Sequence, residues 1–260
     1  MGKTIFVGAR KAGVGKTMTA VSLGFGLAKK GKRVLLLDCD SQHSLTVSLG
    51  VREPDKLTNT LTSVLTDIIN ERDFDPAAGI LRHSEGVDFL PANSGLTGIE
   101  LALTQLIGRE TVLRQYIDKV KHNYDYVIAD TAPTLDLLTV NALAAADSVI
   151  IPVCPKYLDA LGLELLLKAV AQIKRQINSS LAICGILLTI VDRRANLTRE
   201  VTASIEQAYG KNIRIFGEHI PRSIKAAECS AQGVSIYAYD PNGKVAAAYY
   251  SLVEEVTRCG

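Results

Sequence analysis

Residues 8–19 read GARKAGVGKTMT, and four of them have the types and the spacing of a phosphate-binding loop. Gly13 and Gly15 would let the backbone turn its N–H groups toward phosphate oxygens. Lys16 would then bridge the β- and γ-phosphates of a nucleotide, and the Thr17 hydroxyl would bind Mg²⁺. A phosphate loop must follow a strand and open a helix. The apolar run before this stretch and the helical pattern after it meet that requirement.

The loop departs from the common pattern in two ways. Arg10 stands where the pattern has its first glycine, and a second lysine, Lys11, lies inside the loop. The spacing alone leaves three readings open. It could mark a decayed nucleotide site, a site that needs two lysines, or a glycine-rich turn between a strand and a helix.

Carboxylates follow two other apolar runs. Asp38 and Asp40 end the run LLLDCD, and Asp130 ends the run YDYVIAD. The carboxyl ends of parallel strands meet at one edge of an open sheet, where ligands bind. Together with Thr17, these side chains predict a magnesium site at that edge. The alternative for Asp130 is an aspartate that only caps a helix or a turn.

Short apolar runs alternate with amphipathic segments along the chain. The runs are rich in Val, Ile and Leu on both faces, as strands between two helix layers are. They fall at residues 4–9, 33–38, 87–92, 124–130, 148–153, 181–192 and 213–220. Helical periodicity falls at 17–30, 57–71, 96–121, 135–146, 160–177, 196–209 and 243–257. The alternation predicts an α/β fold, with a mostly parallel twisted sheet flanked by helices on both faces, in a single domain over residues 1–260.

The composition fits a globular intracellular protein. Hydrophobic residues make up 47% of the chain and the net charge is +2, so any contact with nucleic acid must come from a local basic patch. The cysteines have no metal-binding spacing, and we expect them to be reduced thiols. The N-terminus does not read as a signal peptide, and no run approaches the roughly 20 apolar residues of a spanning helix. We therefore expect a cytoplasmic protein.

Taken together, the motifs resemble those of the ParA/MinD family of deviant Walker-A ATPases, and within it the Soj-like partition ATPases. The likeness is carried by KAGVGKT (11–17), DCDSQHSLTVSLG (38–50), YDYVIADTAPTL (124–135), LLTIVDRRANL (187–197) and the segment 220–241. That family has no glycine at the position of Arg10, and Lys11 matches its signature lysine. The resemblance implies a P-loop NTPase-like fold of the SIMIBI class, ATP and Mg²⁺ as ligands, and a homodimer that forms on ATP binding.

The resemblance also implies a role for each matched residue. Lys11 would reach across the dimer to the phosphates of the partner's ATP, while Lys16 acts in its own site and Asp40 orients the attacking water. The metal would lie near Thr17, Asp38, Asp40 and Asp130. The nucleotide would contact Lys11, Ala12, Gly13, Val14, Gly15, Lys16, Thr17, Met18, Pro221 and Arg222.

Two residues depart from the family's loop. Ala12 replaces a glycine, and its methyl group would obstruct close approach of a second subunit or strain the backbone if its φ were positive. The sequence thus predicts weak hydrolysis and keeps an alternative open, a nucleotide-binding regulator or scaffold that dimerises poorly. Met18 replaces a threonine, and we expect it to pack against its neighbours.

Soj-like members bind DNA without sequence preference through scattered basic residues. Arg193, Arg194 and Arg199 lie in one basic segment, and Arg222 and Lys225 lie in a second. The expected DNA-binding residues are Arg194, Arg222 and Lys225, and the expected stimulator of hydrolysis is a ParB-like partner. An ATPase that positions another cargo is a further alternative that these residues do not separate from DNA partition.

The closing helical segment argues against membrane binding. A helix that lies on a membrane surface is rich in Lys and Arg on its polar face. Residues 245–260 carry Glu254 and Glu255 and a single basic residue, Arg258. We therefore expect no membrane partner.

Overall fold

The computed structural model describes residues 2–192 and 194–258. The strands within this part of the chain are β1 (Lys3–Val7), β2 (Val34–Cys39), β3 (Leu81–Arg82), β4 (Asp88–Leu90), β5 (Tyr126–Thr131), β6 (Ser148–Val153) and β7 (Ala182–Leu188). They form one sheet in the order β3-β4-β2-β5-β1-β6-β7. Every neighbouring pair is parallel except β3 and β4, which run antiparallel at the edge.

The helices alternate with these strands. They are α1 (Lys16–Lys29), α2 (Ser44–Ser48), α3 (Leu61–Ile69), α4 (Leu96–Leu103), α5 (Val112–Val120), α6 (Leu137–Ala145), α7 (Tyr157–Gln176), α8 (Asn196–Tyr209), α9 (Lys225–Gln232), α10 (Ile236–Tyr239) and α11 (Lys244–Arg258). Across the described residues, none of them combines the length and the apolar character that crossing a bilayer requires.

The central strands are buried on both faces because alternate side chains enter two separate cores. In β2, Leu35 and Leu37 pack against α3 to α7 on one face, whereas Val34 and Leu36 pack against α1 and α11 on the other. The predicted α/β fold, a mostly parallel sheet between two helix layers, is therefore confirmed. The same alternation turns Cys39 into the first core, away from the hydrogen bonds of Asp38.

Several predicted boundaries were wrong. The helix predicted over 96–121 is two helices, because α4 ends at Leu103 and α5 begins only at Val112, with Gly108 at a left-handed φ of 72° in the segment between them. The predicted strand over 181–192 ends at Leu188, and the helix predicted over 57–71 covers only Leu61–Ile69. The helices α2, α9 and α10 and the strand β3 were not predicted from the sequence.

The strand predicted over 213–220 is also wrong. This segment runs beside β7 and the residues that follow it, but only isolated bridges form here, between Ile186 of β7 and Ile215 and, beyond both segments, between Val191 and Pro221. Six residue steps separate the two bridge positions on one segment and five separate them on the other. The extra residue breaks the regular hydrogen-bond ladder, as a bulge does.

Candidate nucleotide site and basic cleft

The loop between β1 and α1 has the backbone of a phosphate-binding loop. Gly13 and Gly15 have φ values of 75° and 81°, in the left-handed region that favours glycine. Gly15 directly precedes the first residue of α1, so the unpaired N–H groups of that helix end face the loop. This arrangement favours an anion at the helix N-terminus.

Lys16 opens the helix with a buried side chain. Its Nζ donates a hydrogen bond to the Lys11 carbonyl at 3.4 Å. Burial lowers the pKa of Lys16, while the charges of Asp130 and Asp40 raise it in opposition. The carboxylates near Lys16 are those of Asp130 and Asp40. Among the described residues, no acidic side chain forms an ion pair with the Lys16 Nζ. Its ammonium is therefore available to a phosphate.

Asp130 lies near the end of β5 and is buried with both carboxylate oxygens lacking a hydrogen-bond partner within the described residues. Burial, followed by the charge of Asp38, raises its pKa from 3.8 to about 8. Thr17 and Lys16 lie close enough to lower that pKa in part, although no hydrogen bond of ordinary geometry joins Thr17 to the carboxylate. Burying a carboxylate costs free energy unless a cation or a hydrogen-bond donor interacts with its oxygens.

Asp38 is placed beside Asp130 by the register of β2 and β5, yet its oxygens are already used. Its Oδ2 accepts hydrogen bonds from the Thr46 amide at 2.8 Å and the Thr46 hydroxyl at 2.6 Å. Its Oδ1 accepts from the Asp40 amide at 3.2 Å. Burial raises the pKa of Asp38 to about 6, against the lowering effect of Thr46. These bonds make Asp38 a residue that shapes the site around Asp40.

Asp40 lies just beyond β2 with one oxygen fixed. Its Oδ1 accepts a hydrogen bond from the Gln42 amide at 2.9 Å, and the side chain is buried apart from a narrow exposed edge. The structure therefore brings Lys16, Asp38, Asp40 and Asp130 to one edge of the sheet, as the sequence predicted.

The residues at this edge fit a magnesium ion that is shared with phosphate. Asp130 supplies unpartnered buried oxygens, and Thr17 supplies a hydroxyl at the start of α1. Among residues 2–192 and 194–258, no three His, Cys, Asp or Glu side chains converge into a metal site of their own. Mg²⁺ commonly keeps waters and binds one or two carboxylates together with substrate phosphates, which suits this donor set.

The two departures in the loop have different consequences. Ala12 is exposed and its φ lies outside the left-handed region, so the backbone strain considered from the sequence does not arise. Met18 packs against the core on the α1 face, as expected. Whether the Ala12 methyl obstructs a second subunit stays a prediction.

Thr189 fixes the phosphate-binding loop through a contact that was not predicted from the sequence. Thr189, just past β7, donates a hydrogen bond from its buried hydroxyl to the Val14 carbonyl at 2.7 Å. The two residues are 175 positions apart, and a lone threonine after a strand carries no signal for this contact.

A cleft of about 780 Å³ opens beyond the end of β7 and contains two of the three predicted DNA-binding residues. Arg194 and Arg222 line it together with Pro221 and Lys244, and Lys244 was not predicted from the sequence. Two carboxylates, Asp192 and Glu218, line it as well, so the three basic side chains leave the cleft with a small excess of positive charge. Lys225, the third predicted residue, does not line the cleft and forms an ion pair with Asp240 at 2.9 Å. Arg199 hydrogen bonds to the Asn196 side chain. Arg193 lies outside the described residues.

The glycine loop, the buried lysine and the strand-end aspartates define a P-loop nucleotide-binding protein with a mostly parallel sheet. The family model described as an AAA domain matches residues 2–183. The chain is 39% identical to the sporulation initiation inhibitor protein Soj of Bacillus subtilis (strain 168), over 100% of both chains. It is 36% identical to the chromosome partitioning protein ParA of Myxococcus xanthus, over 99% of this chain and 89% of that one. The chain therefore belongs to the ParA/Soj family.

A solved structure shares both the fold and the sequence similarity. It is the cobyrinic acid a,c-diamide synthase from Mycobacterium smegmatis, with an ATP analogue and magnesium bound. The TM-score is 0.85 and the identity 32%, over 99% of this chain and 95% of that one.

Proposed function

We propose that this protein is a partition ATPase that binds Mg²⁺-ATP, dimerises around it and holds DNA without sequence preference. The observation that carries the proposal is Asp130, a buried carboxylate with two unpartnered oxygens beside a buried lysine and a glycine loop. A Mg²⁺-bound triphosphate would supply both the cation and the anion that this arrangement lacks. Membership of the ParA/Soj family supports the same reading.

Each residue of the site would act through its own position. The amides of the loop and the Lys16 ammonium would bind the phosphates, and Thr17 and Asp130 would hold the metal. Bound Mg²⁺ would neutralise charge on the phosphates. Asp40, fixed by the Gln42 amide, has a second oxygen that would accept a hydrogen bond from the attacking water and orient it toward the γ-phosphate.

Lys11 would complete the site of a second subunit. It lies with Ala12 and Gly13 on the exposed outer side of the loop, while its carbonyl is bonded to Lys16 on the inner side. A cation in this position, brought against the phosphates of a partner's ATP, would stabilise the charge that develops in the transition state. Two such lysines would also offset the repulsion between two bound nucleotides.

DNA would bind along the basic cleft. Arg194, Arg222 and Lys244 converge there from separate segments of the chain, as expected for a site that neutralises phosphates. A few such contacts give weak, salt-sensitive binding. A dimer doubles the contacts and raises the affinity by avidity, so ATP would control DNA retention. A ParB-like partner would stimulate hydrolysis and release the protein from nucleoid DNA.

The DNA assignment has a matched pair of variants. Lys244→Ala should weaken retention on a random-sequence duplex and lower the slope of log affinity against log salt by about 0.9 for the lost phosphate contact. Lys225→Ala, in which the lysine removed is already paired with Asp240, should leave both unchanged. If the two variants changed DNA retention and the salt slope equally, the proposal that DNA binds in the cleft would be wrong.

The ATPase proposal is tested by the rate of phosphate release and by sedimentation with and without ATP, each with and without DNA. We expect the protein to be monomeric without nucleotide, dimeric with Mg²⁺-ATP, and retained on DNA only with ATP. A protein that hydrolyses no ATP and stays monomeric with it would instead support the regulator or scaffold reading.

A further inference from the structure

The phosphate loop and the basic cleft are joined by a short stretch of chain. At one end, the Thr189 hydroxyl holds the Val14 carbonyl of the loop, and the contact is fully buried. The Thr189 amide also donates to the Val153 carbonyl of β6 at 2.9 Å, which fixes the residue against the sheet. Thr189 therefore connects Val14 of the phosphate-binding loop to the carboxyl end of β6.

Two residues further on, Val191 holds the segment that carries Arg222. The Val191 amide donates to the Ile220 carbonyl at 3.0 Å, and the Arg222 amide donates to the Val191 carbonyl at 3.2 Å. Asp192 follows, and its carboxylate accepts from the Arg194 amide at 3.1 Å. Both arginines of the cleft are thus positioned by residues 191 and 192.

Ile190, the single residue between these two anchor points, has a φ of 54°. A β-branched residue rarely adopts the left-handed region, and such a conformation persists only where the surroundings impose it. The hydrogen bonds of Thr189 on one side and Val191 on the other supply that constraint. The link is therefore short, held at both ends and strained in the middle.

We propose that Thr189 is a positioning residue, which holds the phosphate loop through Val14 and sets the arrangement of Arg194 and Arg222 through the strained link at Ile190. The proposal rests on the proposed function, because it concerns the control of DNA binding by ATP at those two sites. When phosphate oxygens bind the loop amides, a shift of Val14 moves its buried partner Thr189. Because the backbone on both sides of Ile190 is fixed by hydrogen bonds, a shift of Thr189 also moves the segment that carries Arg222.

This coupling adds to the effect of dimerisation and can be separated from it. Avidity depends on how many protomers are paired, whereas the link acts within one protomer. The coupling must also be reciprocal, so DNA should tighten ATP binding by the factor by which ATP tightens DNA binding through the link.

Three variants test the link. Thr189→Val removes the hydroxyl and leaves the buried Val14 carbonyl without a donor, which should weaken ATP binding about tenfold. Thr189→Ser keeps the hydroxyl and should restore wild-type affinity. Ile190→Gly removes the strain but keeps both anchors, so it should leave ATP affinity within about twofold while loosening the cleft.

The deciding measurement is DNA affinity at an ATP concentration that saturates every variant, with the dimer fraction measured in the same samples by sedimentation. We expect Thr189→Val and Ile190→Gly to form as much dimer as the wild type but to bind DNA at least about threefold more weakly, and Thr189→Ser to match the wild type. Wild-type DNA affinity in Ile190→Gly at equal dimer fraction would overturn the proposal, even if Thr189→Val failed to fold.

The failure of the proposed function would look different. A wild-type protein that binds neither ATP nor DNA would overturn both accounts. A wild-type protein with ATP-dependent DNA binding that all three variants reproduce would overturn the link alone.

Discussion

Replacing Asp130 by asparagine should stabilise the nucleotide-free protein at pH 8, although the proposed metal site depends on the Asp130 carboxylate. The carboxylate has no hydrogen-bond partner among the described residues, and burial together with the Asp38 charge raises its pKa from 3.8 to about 8. Asparagine has nearly the same shape and cannot ionise. The variant therefore avoids the unfavourable ionisation of a buried group.

The raised pKa of Asp130 fixes the sign of the pH dependence. Below about pH 4 the carboxyl group is protonated in both the folded and the unfolded chain and does not affect stability. Between about pH 4 and pH 8 the unfolded chain releases the proton while the folded chain keeps it. The free energy of unfolding therefore falls as pH rises, by at most about 1.4 kcal/mol per pH unit and about 5 kcal/mol in total.

Thermal unfolding followed by circular dichroism measures this effect. Because about 1 kcal/mol shifts the melting temperature of a protein of this size by about 2–4 °C, a relief of about 5 kcal/mol should make Asp130→Asn melt about 10–20 °C above the wild type at pH 8. The gain should be less than half as large at pH 5. Added Mg²⁺-ATP should stabilise the wild type far more than the variant, because the variant lacks the carboxylate that would hold the metal.

Asp38→Asn is the matched control. Asp38 is as deeply buried as Asp130 and lies opposite it in the sheet, but it accepts hydrogen bonds from Thr46 and the Asp40 amide. Burial raises the pKa of Asp38 less, to about 6, and an amide nitrogen in place of one oxygen would face a donor, so Asp38→Asn should melt lower than Asp130→Asn at pH 8. If Asp130→Asn melted lower than the wild type at pH 8, the Asp130 carboxylate would be a structural element of the apoprotein, which would refute the expected stabilisation.

Three further substitutions separate the steps of the proposed reaction. Lys11→Ala should bind ATP as tightly as the wild type but release phosphate at least about a hundredfold more slowly, since its cation acts in the partner's site; near-normal turnover in a phosphate-release assay would remove the lysine from catalysis. Asp40→Ala should keep ATP and accumulate as a dimer on sedimentation, and a monomer that hydrolyses ATP would contradict its role with water. Ala12→Gly should raise the dimer fraction with ATP if the methyl group obstructs the interface. Identical sedimentation and phosphate-release rates for Ala12→Gly and the wild type would show that the Ala12 methyl group does not obstruct dimerisation or hydrolysis.

The sequence was informative wherever a residue's role depends on its neighbours along the chain. Gly13, Gly15 and Lys16 form a local motif, and the aspartates end strands whose apolar runs are unmistakable. Parallel strands bring their carboxyl ends to one edge, so the edge that gathers Lys16 and Asp130 followed from topology alone. The break between α4 and α5 had one local signal, the glycine at position 108, but the apolar periodicity on both sides resembled that of a single helix.

Features set by distant contacts could not be predicted in this way. Thr189 follows β7 and Val14 follows β1, so their contact depends on the order of the strands in the sheet. Lys244 joins Arg222 only because the first turn of α11 lies beside the segment after Phe216. The sequence favoured Lys225 as a DNA-binding residue, but folding pairs it with Asp240. The segment 213–220 has the composition of a strand, yet its spacing against β7 allows only isolated bridges.

Isothermal titration calorimetry of ATP into the nucleotide-free protein tests the central claim most directly. With Mg²⁺ present, we expect the wild type to bind ATP saturably and Lys16→Ala not to bind it. We expect Asp130→Asn to bind ATP with the same affinity whether or not Mg²⁺ is present. Absence of binding to the wild-type protein with Mg²⁺ present, or unchanged affinity in Lys16→Ala, would contradict it.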